Sequence, residues 1–356
     1  YYISFTGDDG FRVWIDNKLF LEEWKRQSPY TLTKAIKLNK GEKHAIKIEY
    51  FQAGGGAVAS LKWSYMDKTL ADKVVAEAEK SDVIVYFGGL SPELEGEEMN
   101  VPYPGFDRGD RTSIELPEVQ RKMLKLLKKT GKPVVLVLMS GSAIGLDWEN
   151  ENLDAIVEAW YPGQEGGTAI ADVLLGNFNP GGRLPVTFYQ STEQLPPFED
   201  YSMKNRTYRY FTGKPLFPFG YGLSYTKYTY SALKLPSQVK SNEGIKVQVT
   251  VLNSGTKEGD EVVQLYVRHP NVTLPVPLYS LKGFKKVHLK AGERTNVTFN
   301  LTSKDLAILD KDNKWFVHYG DIEIYVGGSL PNKDLLKEKK ILMGTVSMSG
   351  DDFYLP

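Results

Sequence analysis

Three kinds of hydrophobic pattern succeed one another along the chain. Over residues 1–66 apolar and polar positions alternate, as in Tyr2-Ile-Ser-Phe5, Phe11-Arg-Val-Trp-Ile15, His44-Ala-Ile-Lys-Ile-Glu-Tyr-Phe51 and Ala57-Val-Ala-Ser-Leu-Lys-Trp-Ser-Tyr65. A period of two belongs to strands with one covered face. The first two runs, with Asp8-Asp-Gly10 between them and Asp16-Asn-Lys18 after them, predict a hairpin with a polar turn on each side. About five strands in about 65 residues is thin for a closed sandwich.

Over residues 67–226 the pattern changes to an alternation of helical and strand-like runs. A helix is expected near Ala71–Lys80, a strand over Asp82–Phe87, a helix over 117–130 and a strand over Pro133–Met139. Another strand, Ala155–Trp160, and a helix, Gly166–Leu175, follow. Pro117 suits a first helical position and Gly131 a C-terminal cap. Strands this apolar suit a mostly parallel sheet with helices on both faces, and ligands of such sheets sit at the carboxyl ends of the strands. Residues 179–226 are rich in proline, glycine and aromatics and read as an ordered extended arm. Over 227–356 period two returns, in Ile245–Val251, Glu261–Val267, Thr295–Leu301 and Asp321–Val326. Short strands at that spacing predict an immunoglobulin-like sandwich. The fold class is thus multidomain, α/β plus all-β.

Between the strand ending at Phe87 and the helix starting at 117 lies a loop of roughly 25 residues, far beyond the usual length. It carries Glu93, Glu95, Glu97, Glu98, Asp107 and Asp110, interleaved with Arg108 and Arg111. Clustered carboxylates repel, so one of them can hold a proton near neutral pH and act as an acid. On composition alone a solvated loop, an acid/base site and a cation site all stand. Ser140-Gly-Ser-Ala-Ile-Gly145 follows a strand, the place where backbone amides could cradle a phosphate. It lacks the lysine of a phosphate-binding loop and the spacing of a dinucleotide fingerprint, so nucleotide binding is not expected.

Composition narrows the classes further. Lys plus Arg and Asp plus Glu number 44 each, giving no net charge and no support for nucleic-acid or anionic-membrane partners. The absence of cysteine excludes disulfides and thiol catalysis. His269, His288 and His318 lack metal-ligand spacing and are read as structural or surface residues. No cofactor is called for. The chain opens in strand-like sequence, so a piece of something longer is expected.

Two resemblances rest on specific residues. Thr6-Gly-Asp-Asp-Gly-Phe-Arg-Val-Trp-Ile-Asp-Asn-Lys18 resembles the hallmark of the β-sandwich module named after anthrax protective antigen, with the first half of that module missing. In some members the Asp-Asp pair binds calcium and sugar. Asp8 and Asp9 match it by position, although a plain turn is the expected role. The remaining blocks resemble the C-terminal part of glycoside hydrolase family 3. They are Glu95-Gly-Glu-Glu98 with Gly109-Asp-Arg111, Trp160-Tyr-Pro-Gly-Gln-Glu-Gly-Gly167, Asn179-Pro-Gly-Gly-Arg-Leu-Pro185, Phe217-Pro-Phe-Gly-Tyr-Gly-Leu-Ser-Tyr225, Gly259-Asp-Glu-Val-Val-Gln-Leu-Tyr-Val267 and Leu281-Lys-Gly-Phe284. The architecture implied is half a protective-antigen module over 1–66, an α/β sandwich domain over 67–226 and a fibronectin type III-like domain over 227–356.

The resemblance also implies a function: the C-terminal portion of a retaining exo-β-glycosidase acting on terminal β-D-xylosyl or β-D-glucosyl residues of oligosaccharides. The loop would supply the general acid/base, and an upstream (β/α)8 barrel, in the same or a separate chain, the aspartate nucleophile. Aligned on Gly89-Leu90 and the Glu-x-Glu spacing, the acid/base falls on Glu97, with Glu95 the next candidate and Glu98 the third. Arg108 and Arg111 are expected to anchor the loop by pairing with Asp107, Asp110 or the barrel. A periplasmic or secreted location is expected over a cytoplasmic one, and homo-oligomerisation stays open. The other class left open is a non-catalytic carbohydrate-binding or scaffold fragment, which has no need of the acidic loop.

Overall fold

A computed structural model describes residues 1–64, 68–92, 94–95, 101, 103–107 and 110–356, without the side chains of Lys68 and Thr69. Two compact units are formed, Tyr1–Pro162 and Gly163–Pro356.

The first unit opens with β1 (Tyr2–Asp8), β2 (Phe11–Ile15), β3 (Lys18–Glu23), β4 (Tyr30–Ala35), β5 (Ile46–Tyr50) and β6 (Val58–Ser64). Strand β1 lies between β4 and β6, whereas β2 lies between β3 and β5, all antiparallel. The expected β1–β2 hairpin is therefore wrong: Asp8-Asp9-Gly10 carries the chain from one sheet to the other. Alternation shows that each strand buries one face, and two facing sheets satisfy it as well as a hairpin does. The corner is held by Asp9, whose carboxylate accepts the Gln27 amide at 3.0 Å and the Ala53 amide at 2.5 Å. Phe5 and Phe11, on either side of it, meet at 4.9 Å between ring centroids in a core with Val13 and Leu21. The true hairpin joins β2 to β3 through Asp16 and Asn17, both at positive φ (48° and 61°), as a tight turn matching strand twist requires.

Next come α1 (Lys68–Glu79), β7 (Ile84–Gly89), the two-residue strands β8 (Phe106–Asp107) and β9 (Asp110–Arg111) inside the acidic loop, α2 (Glu118–Lys128), β10 (Val134–Met139), α3 (Asp147–Asn152) and β11 (Ala155–Glu158). The sheet order is β11-β10-β7, all parallel. Strand β10 is central, and Val134, Leu136, Val137 and Leu138 are fully buried, which explains its unbroken apolar sequence. Helix α2 buries Leu124 and Leu127 and is terminated at Gly131, in the left-handed region at φ +74°. The carboxyl ends of β7, β10 and β11 lie side by side, so the loops at 88–116, 140–146 and 159–162 leave from one edge of the sheet.

The second unit begins with α4 (Gly166–Leu175) and an arm without long regular elements, pinned by Asn179. That side chain donates to the Glu258 carbonyl (2.9 Å) and accepts from the Tyr225 amide (2.8 Å) and the Ser224 hydroxyl (2.9 Å). The sandwich comprises β12 (Tyr228–Lys234), β13 (Gln238–Lys240), β14 (Ile245–Asn253), β15 (Gly259–Arg268), β16 (Ser280–Leu289), β17 (Arg294–Leu301), β18 (Ile308–Leu309), β19 (Trp315–Val317), β20 (Gly320–Gly327), β21 (Ile341–Ser349) and β22 (Phe353–Tyr354). Its main sheets are β12-β14-β17 and β13-β21-β20-β15-β16. Alternate residues such as Val247, Val249, Leu265, Ile324 and Val346 form the core.

Candidate active site

The acidic loop leaves β7 through Gly89, whose φ is +126° and where a Cβ would stand 1.9 Å from the Met139 carbonyl oxygen. Only glycine lets the end of β7 lie that close to the end of β10. Gln120 of α2 clamps the same residue, accepting its amide and donating to its carbonyl, both at 2.7 Å. Leu94 and Glu95 then turn back on the Ser91 carbonyl, which accepts both amides (2.9 and 3.1 Å).

The turn aims Glu95 at the strand ends. Its Oε2 accepts the Gly141 amide at 3.0 Å and the Tyr161 hydroxyl, and its Oε1 accepts the Ser142 hydroxyl at 2.6 Å. Arg111 stands with Nη1 3.9 Å from Oε1, and the Glu95 side chain is 14% exposed. Gly141 is needed for this approach: a Cβ there would lie 2.8 Å from the Tyr161 ring and 2.9 Å from Glu95 Oε2. Burial alone would raise the Glu95 pKa, but the hydrogen bonds from Ser142, Tyr161 and Gly141, with the Arg111 charge, outweigh it and hold the group below the ordinary glutamate value. The carboxyl is thus ionised at neutral pH, as a base or a fixed negative charge must be. The Gly141 amide and Ser142 hydroxyl of the glycine-rich turn after β10 are thus given to a carboxylate of the same chain.

Arg111 does anchor the loop, but through partners other than Asp107 and Asp110. Its Nε donates to the Ser113 carbonyl (3.1 Å), and its Nη1 donates to the Ser142 hydroxyl (3.0 Å) and the Ala143 carbonyl (3.2 Å). The guanidinium ties two loops that leave different strands. Beneath them Arg121 of α2 forms a two-pronged pair with Glu149 of α3, at 2.8 and 2.9 Å, and Glu149 is fully buried. That fork fixes α2 against α3 and so fixes the frame of the site.

Strand β11 ends at Glu158, two residues short of expectation, because Trp160 takes a left-handed backbone (φ +53°). The Glu158 Oε1 accepts the Trp160 amide at 2.9 Å. Its other oxygen is buried without a hydrogen-bond partner among the described residues, and burial pushes its pKa up to about 7. Tyr161, three residues after Trp160's acceptor, is the residue that reaches Glu95.

Of the residues predicted from sequence, Glu95 is thus at the strand ends, while Glu97, Glu98 and Arg108 lie outside the described residues. Asp107 and Asp110 sit on β8 and β9. Asp8 and Asp9 are buried, and the Asp9 carboxylate is engaged by backbone amides at the corner between the two sheets. No group of three or more potential metal ligands occurs among the described residues. His288 and His318 pair with Asp260 and Asp352, each at 2.9 Å. Sequence reasoning missed Ser142, Tyr161 and Glu158 as site residues. The signal was present in the serine and glycine spacing after β10 and in the aromatic pair before Pro162, both of which read as turns.

Comparison with known proteins shows the family. Residues 14–225 match the glycosyl hydrolase family 3 C-terminal domain, and residues 261–330 a fibronectin type III-like domain. A xylan 1,4-beta-xylosidase of Xylanibacter ruminicola is 45% identical over 344 residues, covering 95% of this chain and 39% of the relative. A periplasmic beta-glucosidase of Salmonella typhimurium is 37% identical, covering 73% of this chain and 34% of the relative. Among solved structures, a beta-glucosidase from Kluyveromyces marxianus superposes with a TM-score of 0.73 at 28% identity, covering 99% of this chain and 43% of that one. The chain therefore spans under half the length of each of these proteins. With the family domain matched from Val13's neighbour Trp14 to Tyr225, this chain belongs to glycosyl hydrolase family 3 and carries its C-terminal domain.

Proposed function

We propose that this chain is the portion of a retaining exo-β-glycosidase that brings the general acid/base to an active site shared with an upstream barrel domain. One observation carries the reading: a loop carboxylate, Glu95, is fixed at the carboxyl ends of the parallel strands by donors from two other loops. A solvated acidic loop has no need of such a cradle. The substrate class is an oligosaccharide ending in a β-D-xylosyl or β-D-glucosyl residue. The identity to a xylan 1,4-beta-xylosidase supports xylose, and the name of the Salmonella relative supports a location outside the cytoplasm.

Retaining hydrolysis uses two carboxyl groups about 5–5.5 Å apart. The nucleophile, an aspartate of the barrel, attacks the anomeric carbon while the acid gives its proton to the leaving oxygen. The same group, now ionised, takes a proton from the water that releases the sugar. By motif spacing that group is Glu97, with Glu95 as the anchor of its loop. A second reading gives the role to Glu95 itself, favoured by its position at the strand ends. In that case its low pKa in this chain is the resting state of the base, and an ionised nucleophile within reach raises it to that of an acid.

The test uses the complete enzyme, with Glu95→Gln, Glu97→Gln and Glu98→Gln compared on aryl β-xylosides and aryl β-glucosides. Loss of the acid/base is expected to cut turnover of substrates with poor leaving groups by about 10²–10⁴-fold, with partial rescue by azide. That signature in Glu97→Gln supports the first reading, and in Glu95→Gln the second. Full activity in all three variants sinks the loop as the source of the acid. The isolated chain is expected to have no hydrolase activity, and turnover by it would overturn the division of labour.

A further inference from the structure

The end of β11 gathers two features that each oppose folding. Trp160 is a bulky aromatic in the left-handed region, where side chains of its kind are rare. Glu158 is a largely buried carboxyl with one oxygen unpaired among the described residues, and none of the described cations forms an ion pair with it. A buried polar atom without a partner is uncommon in folded chains and calls for an explanation. The two features are joined by one hydrogen bond, the Trp160 amide to Glu158 Oε1 at 2.9 Å. The residue that the turn then sends outward is Tyr161, whose hydroxyl donates to Glu95 and whose ring packs over Gly141.

We propose that Glu158 is a positioning residue for glycoside hydrolysis: through the Trp160 amide it holds the left-handed turn that delivers the Tyr161 hydroxyl to Glu95. The inference rests on the glycosidase reading above and holds whether Glu95 anchors the acidic loop or is itself the acid/base. Any acceptor on residue 158 that reaches the Trp160 amide preserves the turn. Removing the acceptor weakens the hold on the Trp160 backbone, which is expected to shift Tyr161 off Glu95 and leave the carboxylate with Gly141, Ser142 and the more distant Arg111.

The experiment is a double-mutant cycle in the complete enzyme. Glu158→Met keeps the bulk and loses the acceptor, Tyr161→Phe loses the donor, and Glu158→Gln keeps the acceptor. Each of the first two is expected to lower kcat on a poor-leaving-group aryl glycoside about tenfold, the weight of one ordinary hydrogen bond, with KM changed less than about twofold. The double variant is expected to be no slower than the slower single variant, because both break one contact. Losses that multiply to about a hundredfold would mean that Glu158 acts elsewhere, as would wild-type kcat in Glu158→Met. If Glu158→Met does not fold, Glu158→Gln decides: kcat within about threefold of wild type supports the turn, and a larger loss overturns it. A wild-type enzyme inactive on both aryl glycosides would instead sink the glycosidase reading, which separates the two failures.

Discussion

Two glutamates, fully buried Glu261 in the second unit and half-buried Glu158 in the first, make an informative contrast. Glu261 stands on β15, 3% exposed, with Oε2 on Arg183 at 2.6 Å and Oε1 accepting the Tyr230 hydroxyl at 2.5 Å. Burial raises its pKa, and Arg183 and Tyr230 pull against that. Glu158, at the end of β11, has the Trp160 backbone amide as its one hydrogen-bond partner among the described residues. In the second unit the buried charge staples the 179–226 arm to the sandwich, and each carboxylate oxygen has a donor. In the first, a carboxyl with one oxygen unpaired among the described residues stands beside a strained turn. Paired burial builds architecture, and unpaired burial with strain marks the place where geometry serves a task.

The largest effect that can break this contrast is on Arg183. Arg183→Leu leaves Glu261 buried without its cation, which is expected to cost the second unit about 3–5 kcal/mol. Denaturant unfolding followed by a probe in the sandwich measures it. A loss below about 1 kcal/mol would mean that water reaches Glu261 and that the staple is a surface pair.

Much of this was legible beforehand, and the failures have physical causes. The apolar run 133–139 named a central parallel strand because a strand covered on both faces has no polar side to show. The loop between β7 and α2 stood out by length alone. Strand β16, by contrast, alternates poorly, with Lys285 and Lys286 both exposed in it, so sequence periodicity passed over it. Neither the sheet-to-sheet step at Asp8-Asp9-Gly10 nor the reach of Tyr161 to Glu95, 66 positions away in sequence, is visible in any local window. Side-chain contacts of that range are fixed by tertiary packing, and a turn motif reads the same whether or not it presents a functional group.

The next effect is a difference in pH response. Glu158 is raised from 4.5 to about 7, so its contribution to stability is complete below pH 4.5 and is lost as pH rises through 7. At about 1.4 kcal/mol per pKa unit the loss approaches roughly 3 kcal/mol, and Glu158→Gln abolishes it. His269 in the sandwich is pushed down by burial from 6.5 to about 4. Its contribution runs the other way: present above 6.5, lost as pH falls through 4, and removed by His269→Gln. Unfolding of each unit at pH 4.5, 6 and 7.5 checks both signs, and parallel curves for the two units would refute the contrast.

The smallest effect concerns how firmly Glu95 is held. Ser142→Ala removes the 2.6 Å donor to Oε1 and leaves the Gly141 amide, Tyr161 and the more distant Arg111. Because these groups together keep the Glu95 pKa low against burial, loss of the foremost donor raises it toward the ordinary glutamate value. A carboxyl with a lowered pKa stabilises the fold above its unfolded value of 4.5, so the variant is expected to be weaker than wild type at pH 7 and equal to it well below pH 4. Carbon-13 NMR of the Glu95 carboxyl against pH reads the shift directly. An unchanged titration would show that the Arg111 charge and the Tyr161 hydroxyl suffice, and would move the cradle's weight from the turn after β10 to the turn that Glu158 holds.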